Sequence, residues 1–304
     1  VAQPDLAQAR AHHDRQAEIS TAAGVAVAAL IARKAPWAEV LQLLAAYQLA
    51  AATAAVRTLA AAILTEALVR PEMFAGVSSA GFPVSEPLVA ALDYLVPAPA
   101  EALPDAWWKP ADRQRLEEAA ARVVSGMVKD AGRDAFQAEL VASKTHDRYV
   151  RMLVPPSCQR CVVLAGRIYR QLEAFDRHPP TCDCVHWPAD SWGEANEAGL
   201  VSSPAEAYAA GQIRDLTDAQ RKAIDAGADI VQVVNANSGM QTSTQELFGR
   251  RIRVTRYGTT RRSAWRKRNP SRRVRLTPGA IYRIADSDAD AVRLLQLNGY
   301  LPAA

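Results

Sequence analysis

Apolar positions recur at helical spacing through the first half of the chain and lose that period in the second. Residues ~5–34 and ~37–70 predict two long helices, the second entered at Pro36 and stopped at Pro71. Within it Leu41, Leu44, Gln48, Ala51, Ala55 and Leu59 fall on one face. Such helices generally stay folded by packing on neighbours. Residues 71–111 are interrupted by Pro71, Pro83, Pro87, Pro97, Pro99, Pro104 and Pro110, which makes them a connector with one short helix near Leu88–Leu95. Helical spacing returns over residues ~112–144, with Asp112 as its N-cap.

From His146 onward the pattern shortens. Arg148–Val154 alternates polar and apolar residues and predicts a strand. Short helices are expected over residues ~204–213 and ~217–226, capped by Ser203 and Thr217. Ile230–Val234 is a β-branched run, and Arg251–Thr255 alternates arginine with apolar residues. The last expected helix spans residues ~277–297, with a break near Asp286, and stops at Asn298-Gly299. No internal repeat is visible. The expectation is an α+β chain. A long-helix region over 1–144 precedes a smaller mixed α/β module over 145–304, which contains a zinc knuckle and a basic loop over 250–275.

Composition refines this. Much of the apolar content is alanine, which buries little area and implies closely packed helices. The apolar stretch Leu43–Leu64 includes Gln48, Thr53 and Arg57, so a buried amphipathic helix is expected rather than a membrane span. The opening residues lack the basic-then-apolar order of an export signal, so a reducing compartment is expected. The net charge of +4 conceals an asymmetry: twelve of the 36 basic residues lie between Arg250 and Arg275 with no acidic residue among them. The remainder has 24 basic against 32 acidic residues, a charge of −8.

All four cysteines fall in one segment: Cys158-Gln-Arg-Cys161, then Cys182-Asp-Cys184. A Cys-x-x-Cys turn places two thiolates on one side, and a second pair further along can complete a tetrahedron. The Cys-x-Cys spacing is tight, so His178 or His186 is a candidate to replace one thiolate. Thiolates suit zinc, whose lack of redox chemistry suits a cross-link. A closed four-ligand site leaves no position for water and is structural. Two disulfides and four free thiols are the alternatives.

The run Cys158-x-x-Cys161-x-x-Leu164-Ala165-Gly166, with Arg177-His178-Pro179 and Cys182-Asp183-Cys184, resembles the signature of phage Mu protein F-like minor head proteins, in the form carried by actinobacterial phages and prophages. This chain departs from the pattern by one extra residue, Pro180. Asn235-Ala236-x-x-Gly239-Met240, Thr277-Pro278-x-x-Ile281-Tyr282 and Leu294-Leu295-x-x-Asn298-Gly299-Tyr300-Leu301 resemble later landmarks of the same proteins. The resemblance covers residues ~145–302. It implies a low-copy, non-enzymatic minor capsid protein of the virion head. Such a protein is assembled in the bacterial cytoplasm and associates with the portal, the major capsid protein or DNA.

The basic run fits that setting. Arg250, Arg251, Arg253, Arg256, Arg261, Arg262, Arg266, Lys267, Arg268, Arg272, Arg273 and Arg275 are candidate phosphate contacts, and Trp265 is a candidate to stack on bases. No groove-reading motif accompanies them, so binding independent of base sequence is expected. An acidic protein surface, such as the portal, is the other candidate partner. Other functions lack their motifs. A head maturation protease would draw on His146, Asp147 and Ser157, but no Gly-x-Ser-x-Gly arrangement is present. A transferase would draw on Ser243, Thr244 and Glu246, but no Glu-x-Glu pair is present. A host zinc-containing DNA-binding regulator would need a helix-turn-helix, and none is recognisable.

Overall fold

The computed structural model describes residues 5–93, 110–165, 167–173, 182, 184–237, 241–247 and 249–302. In chain order the first helices are α1 (Leu6–Ala32), α2 (Trp37–Ala62), α3 (Ser85–Asp93) and α4 (Pro110–Ser143). Then come β1 (Arg148–Met152), β2 (Ser157–Cys158), α5 (Gln159–Leu164), β3 (Ile168–Arg170), β4 (Val185–Pro188) and α6 (Trp192–Glu197). They are followed by α7 (Pro204–Ala209), β5 (Ile213–Arg214), α8 (Asp218–Asp225), α9 (Ile230–Ala236) and β6 (Thr242–Leu247). The last are β7 (Arg250–Thr255), α10 (Ala264–Arg268), β8 (Arg275–Leu276), α11 (Pro278–Ile284) and α12 (Asp288–Leu297). The result is a mixed α/β chain with long N-terminal helices and small sheets.

The chain divides into two compact units, Val1–Val154 with Gly166–Ser202, and Pro155–Ala165 with Ser203–Ala304. A single cut at 144/145 therefore misplaces β1, β3 and β4, which belong with the long helices.

In the first unit α1, α2 and α4 pack together over Val27, Leu44, Ala51, Leu88, Val124 and Val128. Asp5 caps α1 by accepting from the Ala7 and Gln8 N–H groups at 2.7 and 3.3 Å. The alanine content lets backbones approach closely: a Cβ on Gly24 would lie 2.8 Å from the Ala121 carbonyl oxygen on α4. The expected face of α2 is buried apart from half-buried Leu41, and its polar member is satisfied. Gln48 donates to the Val77 carbonyl at 3.0 Å and accepts from the Gly76 N–H at 2.9 Å. By length and composition α2 could cross a membrane, but here its face packs on α1 and α4.

The helix expected to reach residue 70 stops at Ala62, with Leu64 in the left-handed region at φ 57°. The extended chain beyond it is held by buried Glu139 of α4, whose carboxylate accepts from the Leu68 and Val69 N–H groups at 3.1 and 2.8 Å. The antiparallel sheet β3-β1-β4 closes the other end of this core. It buries Tyr149, Met152, Tyr169 and Trp187 with Phe136 and Leu140 of α4.

In the second unit β2 and β5 form a parallel pair and β6-β7-β8 an antiparallel sheet. Thr217 forms a full capping box with Gln220 at the start of α8. The β-branched run 230–234 is helical, because Asp229 caps α9 by accepting from the Gln232 N–H at 2.7 Å. The expected break near Asp286 separates α11 from α12, with Ser287 as the N-cap of the latter. The closing Asn298-Gly299-Tyr300 run is core. Asn298 accepts from the Leu276 N–H at 2.9 Å, and the Tyr300 hydroxyl donates to the Leu276 carbonyl at 2.8 Å. Gly299, at φ 71°, leaves room for Trp265.

Candidate metal centre and basic face

Cys158 ends β2 and caps α5; its Sγ accepts from the Cys161 N–H at 3.3 Å. This turn is fixed from below. The Gln159 N–H donates to Asp215 Oδ1 at 2.9 Å, and Gln159 Nε2 donates to the Asp215 carbonyl at 2.8 Å. Gln220 donates to Gln159 Oε1 at 2.6 Å. Both thiols of the pair are buried.

Cys182 and Cys184 lead into β4, which the pairing of Met152 with Val185 and Arg151 with His186 locks to β1. Their Sγ atoms are 2.9 Å apart. Two arginines attend them. Arg151, fully buried on β1, donates from Nη1 to Cys184 Sγ at 2.8 Å. Arg133 of α4 donates from Nη2 to the Cys182 and Cys184 carbonyls at 2.5 and 3.2 Å. Neither arginine is identifiable from sequence spacing, since no motif connects Arg133 or Arg151 to the cysteines.

Cys161, Cys182 and Cys184 are all buried and offer a group of three sulfurs. Such a group could hold a metal ion. The donor type fits, since zinc takes thiolates readily; two thiolates at about 2.3 Å from one zinc lie about 3.8 Å apart, against 2.9 Å for the Cys182 and Cys184 sulfurs. None of the four cysteines forms a disulfide. Cys158 belongs to the same turn but not to the three-sulfur group. His178 lies outside the described residues.

His186 is likewise no member of the sulfur group. Its ring packs edge-on against Phe136 at 4.7 Å and against Tyr149 at 5.3 Å. Burial holds its pKa well below 6.5, helped by His12, Arg133 and Arg151. His186 is therefore a buried, neutral ring packed among aromatic side chains. His12 beside it is lowered to about 4, by burial first and then by His13 and Arg133.

The basic run is neither one loop nor uniformly exposed. β7 alternates outward Arg251 and Arg253 with inward Ile252 and Val254, as its sequence pattern suggests. Arg250, Arg256, Arg261, Arg262, Lys267, Arg268, Arg272 and Arg273 are also exposed, and Arg266 is half-buried. Among the described residues none of these forms an ion pair with a carboxylate.

Two candidates leave the set. Arg275 is 1% exposed: its guanidinium lies 4.1 Å from the Tyr300 ring centroid and donates to Gln232 Oε1 at 3.1 Å. Trp265 is 5% exposed and donates through Nε1 to the Leu297 carbonyl at 3.0 Å. Both are core residues of the second unit, Arg275 held over an aromatic face and Trp265 bonded to a carbonyl.

The candidate protease residues are placed otherwise than their proximity in sequence suggests. His146 is buried and bonded to Asp190 at 3.0 Å, while Asp147 is exposed beside Arg148. Ser157 is buried on β2. Ser243, Thr244 and Glu246 lie on β6.

Comparison of the chain with protein-family models, with curated proteins and with solved structures finds no match.

Proposed function

We propose that this chain is a non-enzymatic minor component of a tailed-phage head, stapled by one structural zinc ion and carrying a basic face for DNA. The observation that carries the reading is the buried group of Cys161, Cys182 and Cys184. It is built from the residues that bear the resemblance to phage Mu protein F-like proteins. Cys158 serves as the fourth ligand in this reading, because its place one turn before Cys161 is the usual place of a knuckle partner. Zinc supplies a cross-link without redox chemistry, and its binding free energy is folding free energy for the segment it ties down. Arg151 and Arg133 orient Cys182 and Cys184 around it.

The exposed cations Arg250–Arg273 face a polyanion in this reading, and in a phage head the polyanion is the packaged genome. An acidic surface of the portal or the major capsid protein is the competing partner. The reading supplies no nucleophile and no open metal position, and it assigns no reaction.

Mass spectrometry of purified virions from the phage or induced prophage that encodes this chain tests the proposal. The expected result is the chain present at low copy beside the portal and coat proteins. Virions that contain portal and coat but lack this chain would overturn it.

A further inference from the structure

Beside the end of β7 lies an open cleft of about 590 Å³ lined by Arg256, Arg261, Arg266, Arg273, Thr260 and Gln245. The backbone sets its shape. The Arg256 N–H donates to the Gln241 carbonyl at 2.8 Å, and the Thr259 hydroxyl donates to the Arg256 carbonyl at 2.7 Å. Arg266 is held from below, its Nη1 donating to the Arg272 and Asn269 carbonyls.

No carboxylate lines the cleft among the described residues. The chain has 32 acidic residues and pairs exposed arginines elsewhere, as in Arg15 with Glu18 and Arg293 with Asp290. Bringing four guanidinium groups to one concavity without an acid costs repulsion, and an anion removes that cost. Arginine forks bind phosphate bidentately, and the several oxygens of a phosphate can be shared among more than one fork. The one tryptophan of the basic run is buried, so no indole is offered for base stacking there.

We propose that this cleft is a phosphate-binding seat that takes one or two phosphate groups of a nucleic-acid backbone. Binding there is independent of base identity and similar for duplex and single strands. The inference rests on the reading of the basic face as a DNA surface, which it narrows from a whole run to four side chains.

The test uses the full-length chain, two variants of equal charge loss, and two probes. Arg256→Ala/Arg273→Ala empties the cleft. Arg250→Ala/Arg251→Ala removes two exposed arginines that do not line it. The probes are inorganic tripolyphosphate, followed by calorimetry, and a short labelled DNA duplex, followed by anisotropy over a salt series. For wild type the slope of log K against log salt should be about −5, and the cleft variant should make it shallower, about −3. Tripolyphosphate affinity should fall at least tenfold in the cleft variant and stay within twofold in the other.

Equal losses in the two variants would overturn the cleft while leaving the DNA reading in place. So would duplex binding by wild type with no tripolyphosphate binding. Tripolyphosphate captured through the cleft, with no duplex binding even at ~50 mM salt, would keep the seat and overturn the DNA reading.

Discussion

Arg151 has no exposed surface, and a buried charge must find an opposite charge or a full set of hydrogen bonds. Its contact with Cys184 Sγ gives it a sulfur that carries negative charge when it ligates metal. Replacing it with an apolar chain of similar length, Arg151→Met, should lower zinc affinity about 10–100-fold. Chelator competition would measure this, and an unchanged affinity would show that the guanidinium plays no part in the site.

His12 allows a second expectation at the same scale. Its pKa is about 4 in the folded chain against about 6.5 in an unfolded one, so folding favours the neutral ring. The stability it contributes is complete above pH ~6.5 and is lost as the pH falls from there toward ~4, up to about 3 kcal/mol. Denaturant unfolding across that window should show a shallower acid loss for His12→Leu than for wild type. Identical pH profiles would refute the assignment. The cysteines were legible in the sequence because their spacing is a chemical signature. His12, Arg133 and Arg151 were not, because only the packing of α1, α4 and β1 brings them to Cys184 or His186.

At the scale of elements, the long helices were legible because period and caps are local properties. The shortfalls have physical causes. The second helix ends eight residues early because Glu139, distant in sequence, captures the Leu68 and Val69 amides in extended chain. The grouping of β1, β3 and β4 with the helices depends on non-local pairing that no spacing reveals. Net charge over residues 250–275 was legible, but the burial of Arg275 against Tyr300 was not, since composition carries no information on which face of an element is covered.

Two glycines test the helix packing with opposite signs. Gly24→Ala puts a methyl 2.8 Å from the Ala121 carbonyl, and this crowding, ~1–3 kcal/mol, should outweigh the helix gain of up to ~1 kcal/mol. Gly126→Ala meets nothing within 4 Å and should keep that gain. Thermal unfolding should therefore show Tm falling in the first variant and rising in the second. A rise in both would mean that α1 and α4 do not approach at Gly24.

At the scale of the whole molecule, a small cysteine group is set in a chain otherwise held by ordinary cores. The charge distribution is equally polarised: −8 outside residues 250–275 and +12 within them. The proposed affinity for DNA draws on that stretch, the one long run of basic residues without an acid. Elemental analysis of the full chain, purified without chelator, should find about one zinc per chain. The four thiols should react with a thiol reagent only after the zinc is removed. Metal-free protein with all four thiols freely reactive, or with two disulfides, would contradict it.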